Sequence, residues 1–251
     1  MHKQLNLGQY LPPNRVYRRP TMPTQTSFLF SNDGPLPALS ATEWTTQEGI
    51  GVFVGAGSLP SLLPIIGVRH PFMVDRNKAV VACSKALCEL IVACKNPEGA
   101  VHNLTEKLLS DEDGRLWPTD IQRRISEQYK EEKIRLGRSH WSYKYGPTDN
   151  FERAQCALTD RPPYFVAADI GNRHLAHTFA TIHHEQGITI DFANMTNAFD
   201  PQFNNQCHLG TVSKWPFSSG AHILSSSTNT QLTRRIEPAQ DFFVRLMADK
   251  Q

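Results

Sequence analysis

The sequence predicts an α/β protein built on a doubly wound sheet, and three observations carry that reading. Val52-Phe53-Val54 is an apolar run that breaks into Gly55-Ala56-Gly57, the pattern of a buried strand entering a tight turn. Phe72-Met73-Val74 is a second such run and ends in Asp75. Tyr164-Phe165-Val166-Ala167-Ala168 is a third and ends in Asp169-Ile170-Gly171. Segments with helical spacing separate these runs, as a sheet of parallel strands requires.

The elements follow in order. Strand one is expected at 51–54, a short helix at 61–66 and strand two at 72–74. A helix follows over 77–93, where Val80, Cys83, Leu87 and Ile91 recur at spacings of three and four. Asn96-Pro97-Glu98-Gly99 ends it. The third core strand begins at Tyr164, its helix spans 172–184, Gly187 marks the end, and 188–192 is the next strand. The runs 221–226 and 241–247 read as late strands, suited to an antiparallel pair at the sheet edge.

Two regions stand outside this pattern. Residues 1–45 are rich in Pro, Arg, Asn and Thr and read as an extended arm, packed on the domain or over a cleft, or else as a loose tail. Arg15, Arg18 and Arg19 in this arm suit a phosphate or a solvated face. The remainder, 46–251, reads as a single domain with an insertion at about 98–163. Within the insertion, 119–136 is a charged amphipathic helix followed by an aromatic and basic loop around Trp141, Tyr143, Lys144 and Tyr145. It is long enough to act as a lid, and equally suited to being a decorating helix.

Composition narrows the function classes. The chain has 251 residues, 39% hydrophobic and 20% charged, as in ordinary globular proteins. A formal net charge of +2 gives no global reason to bind nucleic acid or an anionic membrane. No apolar run reaches the length of about 18 residues needed for a membrane span, and the N-terminus carries no apolar signal-peptide core. Cys83, Cys88, Cys94, Cys156 and Cys207 form no C-x-x-C pair and are odd in number. A disulfide framework and a structural zinc site are therefore not expected, and a soluble, cytoplasmic location is.

Asp75 stands 18 positions after Gly57, near the roughly 20-residue spacing at which an acid after a glycine turn reaches a ribose hydroxyl. The third glycine of the dinucleotide fingerprint is missing, which disfavours a nicotinamide dehydrogenase. No P-loop and no Gly-x-Ser-x-Gly elbow is present. His174, His177, His183 and His184 with Glu185 share one predicted helix and suggest a metal face, but no third ligand stands at a convincing spacing.

The Gly55-Ala56-Gly57 loop and Asp75 resemble motif I and the following acid of class I S-adenosylmethionine-dependent methyltransferases. Phe53 departs from that family, which often has an acid there. Leu59 and Pro60 depart too, and the resulting Gly-x-Gly-x-Leu-Pro looks most like the loop of nicotianamine synthases, which transfer an aminocarboxypropyl group from the same cofactor. The resemblance implies a Rossmann-like fold and S-adenosylmethionine as cofactor, with S-adenosylhomocysteine as product. It implies that Gly55, Ala56, Gly57 and Ser58 approach the methionine moiety and that Asp75, beside Arg76, holds the ribose. Asp169 would meet the adenine amine, with Ile170 on the ring. Asn194 and Asn197 would lie beside the sulfonium and the acceptor. Asp169 also suits a helix N-cap, and Asn194 and Asn197 also suit a turn.

Catalysis would ask chiefly for alignment and exclusion of water. Asn194, Asn197, Tyr143 and Asp191 are the candidates by position to orient or deprotonate an acceptor, although an asparagine can only orient. Three functions follow: a methyltransferase on an unidentified acceptor, an aminocarboxypropyl transferase, or a non-catalytic interaction protein on a degenerate methyltransferase fold. A small molecule or a protein is the expected acceptor. The weak net charge speaks against nucleic acid, though the aromatics of the insertion would suit stacking on bases.

Overall fold

A computed structural model describes residues 6–11, 47–55, 58–76, 78–96, 99–100, 102–103, 147–196, 208–227 and 233–248. Among the described residues six strands form one sheet: β1 (Gln47–Val54), β2 (Val68–Asp75), β3 (Tyr164–Ala167), β4 (Ile190–Asn194), β5 (Phe217–Ser227) and β6 (Thr233–Pro238). Their order is β3-β2-β1-β4-β5-β6. The first five run parallel, and β6 runs antiparallel to β5. The helices are α1 (Ser58–Ile66), α2 (Lys78–Ala93), α3 (Pro147–Asp160), α4 (Arg173–Gln186), α5 (Leu209–Val212) and α6 (Ala239–Ala248). The sheet is therefore doubly wound and Rossmann-like, as its sequence predicts.

Side chains alternate across β1 and sort the core into two layers. Phe53 joins Leu59, Leu63, Val80, Leu87, Phe151 and Leu158 on the face covered by α1, α2 and α3. Ile50 and Val52 join Phe72, Leu175, Phe179, Ile182, Trp215 and Phe242 on the opposite face. On that second face Phe179 meets Phe72 edge-on at 5.4 Å and Trp215 at 5.0 Å. Such contacts contribute about 0.5–1.5 kcal/mol each beyond the area they bury.

α3 lies inside the stretch expected to be an insertion, yet it belongs to the core. Phe151, Ala154, Ala157 and Leu158 are all buried, and the alanines let α3 lie close to its neighbours. Gln155 donates through Nε2 to the carbonyls of Ile91 (2.7 Å) and Cys94 (2.5 Å), groups that the end of α2 leaves without helical partners. The amphipathic helix expected at 119–136 and the aromatic loop after it lie outside the described residues.

One expected strand is a helix instead. Residues 241–247 fall within α6, where Ala239 and Phe242 are buried and Phe243 and Leu246 pack against the same core at spacings of three and four. A short apolar run fits either period, and here packing on the sheet decides for the helix. The antiparallel partner of β5 is β6, whose Thr-Arg-Arg-Ile-Glu-Pro sequence carries little apolar signal.

β1 also begins earlier than its apolar run. Gly49 donates its backbone N–H to Asp191 Oδ2 (2.9 Å), and Asp191 Oδ1 accepts from the Thr189 hydroxyl (3.2 Å). A Cβ on Gly49 would meet Asp191 Oδ2 at 2.2 Å and the Thr189 carbonyl at 2.6 Å, so the approach requires glycine. Asp191 thus spends its carboxylate at the amino end of the sheet, where register shifts occur in both β1 and β4. It is not a candidate base.

Of the expected N-terminal arm, residues 6–11 are described. Leu7 is fully buried and donates its N–H to the Tyr164 hydroxyl at 3.1 Å. The Tyr10 hydroxyl donates to Glu185 (2.8 Å), and the Tyr10 carbonyl accepts from Thr178 (3.2 Å). These partners lie at the start of β3 and along α4 toward its C-terminal end, so this turn braces the second layer away from the carboxyl ends of the strands.

His70 on β2 is only 3% exposed. Burial pushes its imidazole below the ordinary value of 6.5; Arg69 adds to the shift and Glu48 opposes it. The unfolded chain therefore takes up this proton more readily than the folded one. The stability involved is fully present above pH 6.5 and is lost as pH falls from there through the lowered folded value. Urea unfolding across that range should show the wild type losing more stability on acidification than a His70→Gln variant. Parallel curves would contradict the assignment.

Candidate functional site

The connections run from β1 outward to β2 and β3, then return across the sheet to β4 and β5. The direction reverses between β1 and β4, the place beyond the carboxyl ends of the strands where open α/β sheets bind ligands. Backbone register shows what lines it. Val54 pairs with Val74 and Val74 with Val166, while Phe53 pairs with Asn194. The next row of residues is therefore Gly55, Asp75 and Ala167, and Thr196 follows the end of β4 at the corresponding height.

Gly55 has φ of +91°, a conformation that disfavours any side chain, and its N–H donates to the Val74 carbonyl at 3.4 Å. β1 thus stops abruptly and α1 begins at Ser58. Asp75 is half-buried at the end of β2, and its backbone carbonyl accepts from Ala168 (2.9 Å). Arg76 beside it is exposed. Ala56, Gly57, Tyr143 and Asn197 lie outside the described residues, and of Ser58 only the backbone is described.

Asp169 follows β3. Its Oδ1 accepts from the Gly171 N–H at 2.8 Å and lies 3.2 Å from His208 Nε2. The N-cap of α4 is Asn172, whose Oδ1 accepts from the His174 N–H (2.7 Å), so Asp169 is not spent on capping that helix. Ile170 is 5% exposed and packs into the second layer of the core. Asn194 is fully buried, and its Oδ1 accepts from the Thr196 N–H at 3.1 Å. That is an Asx turn, which fixes the path of the chain as it leaves β4.

The structure thus brings Gly55, Asp75, Asp169 and Asn194 to one edge of the sheet. The side chain of His208, which no motif singles out, reaches Asp169. No local pattern links two residues so far apart in the chain. No cluster of three metal-ligating side chains occurs among the described residues. No described helix is long and apolar enough to cross a membrane.

No family model and no curated protein sequence matches the chain. Two solved structures of the rRNA methyltransferase aviRa from Streptomyces viridochromogenes are similar to it. Each is 10% identical with a TM-score of 0.35. They cover 92% and 91% of this chain and 85% and 84% of their own. The chain has a doubly wound, Rossmann-like fold. That rests on its own strand order.

The positive φ of Gly55 gives a direct check on the turn. A Gly55→Val variant should lose about 1–3 kcal/mol of unfolding free energy, the cost of holding a β-branched residue in that region. Chemical denaturation measures it, and wild-type stability would show that the turn does not need a left-handed residue.

Proposed function

We propose that this protein is an S-adenosylmethionine-dependent methyltransferase. The observation that carries the reading is the row formed by Gly55 and Asp75 beside the reversal between β1 and β4. A backbone turn without a side chain and a half-buried carboxylate lie level with each other at the carboxyl edge. That donor set fits an adenosine-containing cofactor, because backbone amides can approach its tail while the acid accepts from ribose hydroxyls.

In this reading Gly55 to Ser58 lie against the methionine portion, Asp75 holds the ribose, Asp169 meets the adenine amine and Ile170 supports the ring. When bound, S-adenosylmethionine supplies a carbon activated by its neutral leaving group. The chain's own task is to align the acceptor with that carbon and exclude water. The buried Asn194 turn sets the course of the segment after β4, where Asn197 and the acceptor would lie, and Tyr143 would approach from the insertion. The acceptor is a small molecule or a protein.

Titration calorimetry with S-adenosylhomocysteine tests the cofactor, and mass spectrometry of products tests the group transferred. Gain of one methyl per event is expected. Gain of an aminocarboxypropyl group would keep the cofactor site but change the reaction, and absence of binding would favour a non-catalytic protein on this fold. Asp75→Ala should weaken binding by about 1.5–3 kcal/mol, the loss of hydrogen bonds to a charged acceptor. That is roughly tenfold or more in Kd. Equal affinity in a folded variant would remove Asp75 from the site.

A further inference from the structure

We infer that His208 is a positioning residue for Asp169 and through it sets selectivity for the nucleobase amine. The inference rests on the proposed cofactor reading and deepens it. His208 occupies the N-cap position of α5, but its side chain makes no capping hydrogen bond there. It instead places Nε2 3.2 Å from Asp169 Oδ1. The contact is built rather than incidental. A Cβ on Gly171 would stand 1.7 Å from His208 Nδ1 and 2.4 Å from its Cγ, so the ring occupies the space that this glycine leaves open. The Gly171 N–H holds the same carboxylate oxygen at 2.8 Å.

The Gly171 N–H on Oδ1 and the His208 ring nitrogen 3.2 Å from the same oxygen fix the rotation of the carboxylate. Oδ2 then becomes the oxygen that accepts from outside, and the Asp169 side chain keeps 35% of its surface accessible for that purpose. An ionised carboxylate only accepts hydrogen bonds. It therefore favours an exocyclic amine over a carbonyl at the same position of the base, and a carboxylate free to rotate discriminates less. His208 also joins the segments following β3 and β4, two strands that stand three places apart in the sheet.

The test compares S-adenosylhomocysteine with S-inosylhomocysteine, which carries an oxygen in place of the amine, by calorimetry on the full chain. The wild type should prefer the adenosyl ligand. His208→Ala should raise the Kd for that ligand roughly three- to tenfold, the scale of one positioning hydrogen bond, and leave the inosyl ligand nearly unchanged. His208→Gln, whose amide N–H can reach the same oxygen, should restore most of the preference. Asp169→Asn should abolish it. Thermal unfolding confirms that each variant is folded. If Asp169→Asn loses the preference while His208→Ala keeps it, or if His208→Gln behaves like His208→Ala, the positioning role is overturned and the cofactor reading stands. If the wild type binds neither ligand, the cofactor reading fails and this inference fails with it.

Discussion

Everything at the candidate site depends on β1 lying between two parallel neighbours whose connections leave in opposite directions. β2 and β4 both pair with β1, so its backbone groups are occupied on both sides. Its chain can leave only through the carboxyl end, and the turn there must be tight enough to start α1 at Ser58. Gly55 meets that demand with a φ of +91°. The same absence of a side chain that permits the turn keeps the edge of the sheet accessible to a ligand. In the proposed cofactor reading, structure and function ask the same thing of this one residue.

The two core layers hold this arrangement in place. Phe53 anchors one face and Val52 the other, so β1 cannot shift by one residue without turning both inside out. The amino end is pinned separately, by Asp191 accepting from Gly49. The parallel register of β1 with β2 brings Asp75 level with Gly55.

The central strands were legible because strands buried on both faces read as continuous apolar runs. α4 was legible through Gly187, which caps its end, while its N-cap is Asn172 rather than the Asp169 that the sequence also suited to that place. Three elements were hidden for different reasons. α6 has an apolar run too short to reveal its period. β6 is an edge strand rich in charge. α3 buries alanines that carry little hydrophobic signal, which left it inside an expected insertion. At the site, Gly55 and Asp75 could be found because each sits at the end of a readable strand. The Asp169–His208 contact could not, because only the folded sheet brings the segments after β3 and β4 together.

The central claim is that the carboxyl edge beside the β1–β4 reversal is where an S-adenosyl ligand binds. Mapping backbone amide shifts during titration with S-adenosylhomocysteine tests it most directly. The account predicts changes concentrated at Gly55, Asp75, Asp169 to Gly171 and Met195 to Thr196, with the residue 6–11 turn and α6 unaffected. Saturable binding whose shifts centre elsewhere, or no binding at all, would contradict it.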